Sequence, residues 1–397
     1  MDTQVIIVGA GVTGLSAAYH LARRGARRVL VLEKDRVGAG SSSRAAGIIT
    51  GLLWSETGVL ARKRSLELFR ELSDDLAGYR FHDVGCLNLF DAASWPEREA
   101  LLPLYDRLGA PYEILPAAEV RRRWPAVAMP DDQLGLYDPL GGYSEPDEYL
   151  PALARRCREL GVEIREGVTA DGLVLQGGRV CGVRVAGGEL GADAVIYGVY
   201  AWTLALGAPD GLRPPVKMVA HQRYLTAPLA APPELPAINA NPLGGYVRPA
   251  SGGRVLAGVE TLDRQEIRVT NRAFQLDTVT APPELRESVG ARFSGLVPSL
   301  AGAEWEEERV GLLTFSMDGE PVLGPVAALP GLYIGVAFHS GGFAYNPVVG
   351  ELLAELVLDG RTRLNIEAFS PDRFPADEVE AYLAATVTQR NLVRRRH

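Results

Sequence analysis

The chain begins with an apolar run, VIIV at 5–8, then a glycine-rich turn, then apolar Leu15, Ala18, Tyr19 and Ala22 at helical spacing until Gly25. A second apolar run, VLVLE at 29–33, completes a strand–helix–strand unit. Residues 57–77 predict another amphipathic helix, and 80–144 mix strands with short helices. The stretch 145–161 predicts a helix leading into the strand VEIREG. Strand pairs with turns at 176–178 and 186–188 follow, then the buried strand DAVIYGV. From 212 to 304 the pattern becomes β-branched runs between proline-rich loops; 309–358 returns to strand, glycine loop and helix. In that last unit AFHSGGFAYNP (337–347) separates an apolar strand at 332–336 from an apolar helix at 348–358.

α/β units at the start, middle and end, with β-rich insertions between them, predict an α/β (overall α+β) protein of two discontinuous domains. A Rossmann-like nucleotide-binding domain is expected from 1–80, 145–211 and 308–397. A second domain, mainly antiparallel sheet, is expected from 81–144 and 212–307. The length of 397 residues suits two domains.

Composition narrows the classes. Hydrophobic content of 47% with 23% charged residues is that of a globular protein, and a net charge of -8 argues against nucleic acid. RRRW at 121–124 and RRRH at 394–397 are short basic runs expected on the solvated surface. Cys86, Cys157 and Cys181 show no CxxC spacing, which argues against a disulfide framework or a zinc site and fits a reducing cytoplasm. No charged leader precedes the first strand and no uncharged run reads as a membrane helix, so a cytoplasmic location without a membrane span is expected. No grouping has metal-ligand spacing, and no G-x-S-x-G elbow supports a hydrolase.

Gly9, Gly11 and Gly14 form G-x-G-x-x-G between the first strand and helix, with Val12 and Thr13 at the helix mouth. That geometry admits pyrophosphate to unpaired helix N–H groups. Glu33, 22 residues after Gly11, ends the second strand, where a carboxylate accepts ribose hydroxyls and repels a 2′-phosphate. A dinucleotide other than NADP is expected. Nearby, GSSSRAAGII (40–49) offers hydroxyls and amides for a second wrap, which the longer FAD needs and NAD does not.

With these segments, and with GGYSEPDEYLPALARRCRELGVEIREG, ADAVIYGVYAW, GGYVRP, TFSMDGEPVLGP and GLYIGVAFHSGGFAYNPVVGELLAEL, the chain resembles the D-amino-acid-oxidase-like flavoproteins. The sarcosine oxidase, glycine oxidase and dimethylglycine dehydrogenase group is the nearest in pattern. The resemblance implies FAD held by the glycine turn, Glu33, Lys34, Ser41, Ser42, Arg44, Ala46, Gly47 and Ala170. It also sets the loop 338–344 beside the flavin's pyrimidine edge, with the amides of Ser340, Gly341, Gly342, Phe343 and Ala344 and the helix after Pro347 facing it. It implies oxidation of an amine or amino acid by hydride transfer to flavin N5, giving an imine that water hydrolyses. Oxygen or another acceptor would then take the electrons. A 2-hydroxy-acid dehydrogenase on the same fold and a mainly binding subunit of a larger complex are the alternatives. A homo- or hetero-oligomer is compatible with either.

Several positions depart from that group. Relatives tether FAD through a histidine or a cysteine where this chain has Arg44 and Gly311, so non-covalent FAD is expected. A lysine that assists oxygen is matched by Leu256, leaving only Lys217 as a downstream lysine. Residues that clamp a substrate carboxylate are matched by Ala344 and Leu313, so Arg44, Arg223 and Arg248 become the candidates. The small A-A-G before AW reads Gly198-Val199-Tyr200, and Tyr200 is expected to crowd the dinucleotide. For chemistry, His221, His339, Tyr246, Glu260 and Arg248 are the candidate catalytic residues; Glu260 would suit a cationic substrate.

Overall fold

The computed structural model describes residues 3–393; the RRRH stretch lies outside the described residues. A six-stranded sheet runs in the order Val322–Pro325, Leu332–Val336, Ala194–Tyr197, Gln4–Val8, Arg28–Leu32, Glu163–Arg165. All its pairings are parallel except the edge strand Val322–Pro325. The period of two along the central strands sorts their side chains into two cores. Val5, Ile7, Val29 and Val31 pack against the helices Val12–Arg23, Glu56–Asp75, Pro146–Glu159 and Gly342–Asp359. Ile6, Val8, Leu30 and Leu32 pack against a three-stranded antiparallel sheet, Ala170–Gln176, Arg179–Val185 and Gly188–Gly191. Each such side chain contributes roughly 1.5–3 kcal/mol by leaving water.

An eight-stranded sheet has the order Trp305–Phe315, Lys217–Thr226, Arg254–Val259, Gly245–Ala250, Ala237–Ala240, Cys86–Phe90, Leu134–Asp138, Glu113–Pro116. It is antiparallel except where Ala237–Ala240 meets Cys86–Phe90. Residues 308–315, expected among the nucleotide-binding segments, are hydrogen-bonded into this sheet along the Lys217–Thr226 strand. One face packs Leu87, Ile238, Val247, Ala257 and Tyr224 over the helix Pro283–Ser294. That helix lies inside the stretch read as strands and loops. Only Val289 and Phe293 of it are buried, too few to show a helical stripe in sequence. The opposite face carries a polar row in register across six strands: Asn88, Asn239, Tyr246, Gly258, Arg223 and Arg309.

The helix expected to begin after Pro347 begins at Gly342 instead. Pro347 sits inside it, where a missing N–H leaves a carbonyl one turn back without its donor. Here Asn346 Nδ2 supplies that bond, donating to the Phe343 carbonyl at 2.6 Å, while Tyr149 Oη donates to Asn346 Oδ1 at 2.8 Å. Among the described residues no helix is long and apolar enough to cross a membrane.

Candidate active site

Between the glycine turn and the polar face of the eight-stranded sheet lies a cleft of about 2180 Å³, open solvent at its mouth included. The sequence-predicted residues Gly9, Gly11, Val12, Thr13, Glu33, Lys34, Ser41, Ser42, Arg44, Ala46, Gly47, Ala170, Ser340, Gly341, Gly342 and Phe343 border it, as do His221, His339, Tyr246 and Glu260. Gly14, Ala344 and Arg248 do not. Gly14 acts from behind: a methyl group there would lie 1.9 Å from the Gly9 carbonyl oxygen, so only glycine lets the helix start so close to the turn.

At one end, the Val12 amide donates to Ser42 Oγ at 3.0 Å, which ties the Ser41–Arg44 turn to the helix mouth. Ser41 Oγ donates to the Leu312 carbonyl at 3.1 Å, joining that turn to the eight-stranded sheet. Glu33 accepts from the amides of Ala10 (2.9 Å) and Asp35 (3.0 Å). Burial still pushes its carboxyl pKa up, with those two bonds working the other way. Lys34 lies over the Trp202 ring at 4.7 Å and pairs with Asp35 at 2.9 Å. Positions 44 and 311 are neighbours, since a methyl group on Gly311 would lie 3.3 Å from Arg44 Cβ. The Arg44 guanidinium turns to the carbonyls of Ala39 and Gly40 and to Asp277.

At the other end, Tyr200, Ala337 and His339 are the non-glycine residues with positive φ among those described, at 47°, 60° and 56°. Such residues cost on the order of 1–3 kcal/mol each and persist where surroundings impose them. The imposing contacts are visible. Tyr200 Oη accepts from the Thr314 amide at 3.1 Å and donates to the His339 carbonyl at 3.3 Å. The His339 amide in turn donates to the Thr314 carbonyl at 2.8 Å. Tyr200 therefore borders the cleft as a strut between loop and sheet, with its ring beside Gly342. Of the loop amides expected to face a ligand, that of Gly341 is taken by the Phe338 carbonyl at 2.8 Å. The open donors are the first helical amides, from Gly342 on, because no side chain caps this helix.

The sheet supplies the opposing wall. His221 Nε2 and Tyr246 Oη are 3.0 Å apart. Tyr246 lies flat across Gly258, where a methyl group would come within 2.0 Å of the ring. Burial pushes the Tyr246 pKa up, against the pull of Arg223 and Arg248. Glu260 leaves the end of the Arg254–Val259 strand and is held by its amide bond to the Gly244 carbonyl at 2.9 Å.

Three expectations need correction. Arg248 is fully buried in a two-pronged pair with Glu145 at 2.9 Å and stacks 4.5 Å from the Tyr143 ring, so it is not presented to the cleft. Arg223 is likewise buried beside Glu307 and the Ser43 carbonyl. Lys217 pairs with Glu266 at 2.9 Å away from the cleft, and Leu256 does not border it. Conversely, Arg62, Thr50 and Asn239 border the cleft without having been singled out. Arg62 carried a signal: it falls in the buried stripe Val59, Leu66, Phe69 of its helix, where a charge is out of place.

The close glycine turn, an acceptor for ribose hydroxyls, two open helix starts and a cleft joining them fit a dinucleotide extended by a flavin. The comparisons agree. The family model described as "FAD dependent oxidoreductase" (DAO) matches residues 4–356, and the chain belongs to this family. It is 28% identical to 4-methylaminobutanoate oxidase (formaldehyde-forming) of Paenarthrobacter nicotinovorans over 94% of this chain but 45% of that protein. It is 27% identical to sarcosine oxidase subunit beta of an Arthrobacter species, covering 93% of this chain and 90% of that one. Among solved structures, L-proline dehydrogenase from P. horikoshii superposes with a TM-score of 0.85 at 25% identity, covering 94% of this chain and 98% of that one. Against several of these relatives, dimethylglycine dehydrogenase of Rattus norvegicus included, the chain spans about 45% of their length.

Proposed function

We propose that the protein oxidises the C–N bond of an amine or amino acid, using FAD held without a covalent tether. Glu33 and the glycine turn would hold the adenosine and pyrophosphate, and the Gly342–Asp359 helix start would face the pyrimidine edge. Position 44 carries a guanidinium and position 311 no side chain, so neither offers the histidine or cysteine a tether needs. Bound there, FAD supplies the two-electron acceptor for a hydride from the carbon next to nitrogen. His221 and Tyr246 would position the amine and hold the proton it must lose to become reactive, and Glu260 would attract its cationic form. The oxidised substrate is an imine; water adds across C=N and releases the amine and a carbonyl compound.

The observation carrying this reading is the His221–Tyr246 pair on the cleft wall opposite an uncapped helix start. Cofactor binding by 1–80, 145–211 and the final helices, and substrate binding by the sheet, belong to the same proposal. Lys217 shares the His221 strand but is paired with Glu266 away from the cleft, and Leu256 does not border it, so slow reoxidation in air, and thus a dehydrogenase, is part of the proposal. The similarity to a protein named as a subunit supports assembly with a partner chain, and the three unpaired cysteines support a reducing cytoplasm.

Anaerobic titration of the yellow protein with N-methyl amino acids, primary amino acids, simple amines and 2-hydroxy acids is the test. Bleaching by a nitrogen compound is expected. Bleaching by hydroxy acids alone would overturn the reading.

A further inference from the structure

The strand Arg254–Val259 and the helix Pro283–Ser294 are joined by 260–282, a stretch with no strand and only one short helical turn, Leu276–Thr278. Connections of that length without structure of their own are uncommon in a compact domain and usually serve a function. Its base belongs to the sheet side. The Ile267 amide donates to the Met218 carbonyl at 2.8 Å, and Arg264 Nη2 closes the base by donating to the Thr280 carbonyl at 2.8 Å. In its middle, 271–278, only Leu276 is buried. The hydrogen-bonded amides there, those of Phe274 and Thr278, reach no further than the carbonyls of Asn271 and Gln275.

What holds that middle comes from the nucleotide-binding side. Lys34 Nζ and Trp202 Nε1 both donate to one backbone oxygen, the Phe274 carbonyl, each at 3.2 Å, and the Trp202 and Phe274 rings lie 6.0 Å apart. The Arg44 guanidinium pairs with Asp277, and Arg272 Nη1 donates to the Asp171 carbonyl. Lys34, Arg44, Trp202 and Arg272 all border the cleft. Lys34 follows Glu33, Asp171 follows Ala170, and Arg44 shares its turn with Ser42. The segment thus leaves one wall of the cleft, is pinned to the other beside the residues that frame the adenosine end, and returns. Polar ties and one ring contact fasten it, with little apolar burial, so it can open without unfolding either sheet.

We propose that 271–278 is a strap that gates the adenosine end of the cleft, so that FAD enters and leaves only when these ties are broken. The proposal rests on the untethered FAD of the reading above and goes beyond it: without a covalent bond, the strap sets how fast the cofactor is lost. It also gives Lys34 and Arg44, expected to contact FAD, a part in fastening the strap.

The test measures FAD release from the loaded protein and FAD uptake by the stripped protein, both by flavin fluorescence, in Asp277→Asn and Trp202→Phe. Each variant is expected to raise both rates about 3- to 10-fold with little change in affinity, because a gate obstructs passage in both directions. Faster release with unchanged uptake would make these residues ordinary cofactor contacts and overturn the gate, as would two unchanged rates. The Asp277 side chain is 81% exposed, so Asp277→Asn decides if Trp202→Phe fails to fold. Hydrogen exchange of 271–278 is a second readout: it should be faster in the variants than in the wild type, and equal exchange contradicts the fastening. The readings fail separately. Flavin that stays with the unfolded chain would sink the untethered cofactor, and hydrogen exchange alone then decides the strap. Amines that leave the flavin unbleached would sink the proposed reaction and leave both FAD rates as expected here.

Discussion

His221 Nε2 and Tyr246 Oη lie 3.0 Å apart on the cleft face of the eight-stranded sheet, joined across strands that are not neighbours. The contact exists because Gly258, on the strand between them, has no side chain to hold the Tyr246 ring off. If the pair positions and deprotonates the amine, Tyr246→Phe and His221→Ala should each slow flavin bleaching by about 10²–10⁴-fold. Stopped-flow reduction under anaerobic conditions measures this. FAD content should be unchanged; equal bleaching rates would remove the pair from the chemistry.

Cofactor retention tests the other end. Gly14→Ala places a methyl group 1.9 Å from the Gly9 carbonyl oxygen, so the turn must shift. The variant should purify colourless. Glu33→Gln keeps the shape and loses the charge-assisted acceptor, so it should weaken FAD by about 10–100-fold. Fluorescence of released flavin, read by equilibrium dialysis, gives both numbers.

Tyr200 is strained in φ and held by its hydroxyl. Tyr200→Phe removes the acceptor of the Thr314 amide and the donor to the His339 carbonyl, and should lower stability by about 1–3 kcal/mol. Tyr200→Gly relieves the φ strain but loses the strut, so loop 338–344 should become more open to hydrogen exchange. A Tyr200→Gly variant that binds FAD more tightly would show that the ring crowds the cofactor.

Arg248 and Glu145 predict a pH dependence. Burial raises the Glu145 pKa, but the Arg248 charge outweighs it and holds the carboxyl below its ordinary value. A depressed acid pKa contributes stability present above the unfolded value and lost as pH falls through the folded one. Arg248→Met leaves a buried carboxylate uncompensated and should cost about 3–5 kcal/mol near neutrality. Denaturant titrations should show that difference shrinking toward acid, as Glu145 becomes protonated in both proteins. A difference independent of pH would contradict the pairing as the cause.

What the residues determine by themselves is local. Gly9, Gly11, Gly14 and Glu33 lie within one strand–helix–strand unit, so spacing alone places them at a turn, a helix start and a strand end. The same holds for the loop after the Leu332–Val336 strand. Even Arg62 was legible in principle, as a charge within an apolar stripe. The limits are equally physical. Pro347 reads as a helix start, yet the helix extends back to Gly342 because Asn346 repairs the missing bond.

Arg248 reads as a substrate ligand, yet Glu145, 103 residues away, already neutralises it. His221 and Tyr246 meet only through strand order and register, and Tyr200 takes its left-handed backbone only because Thr314 and His339 hold its hydroxyl. Steric rules between near neighbours act in any chain and can be read from it. Which buried charges find partners depends on contacts between distant segments, and those the tertiary structure alone decided.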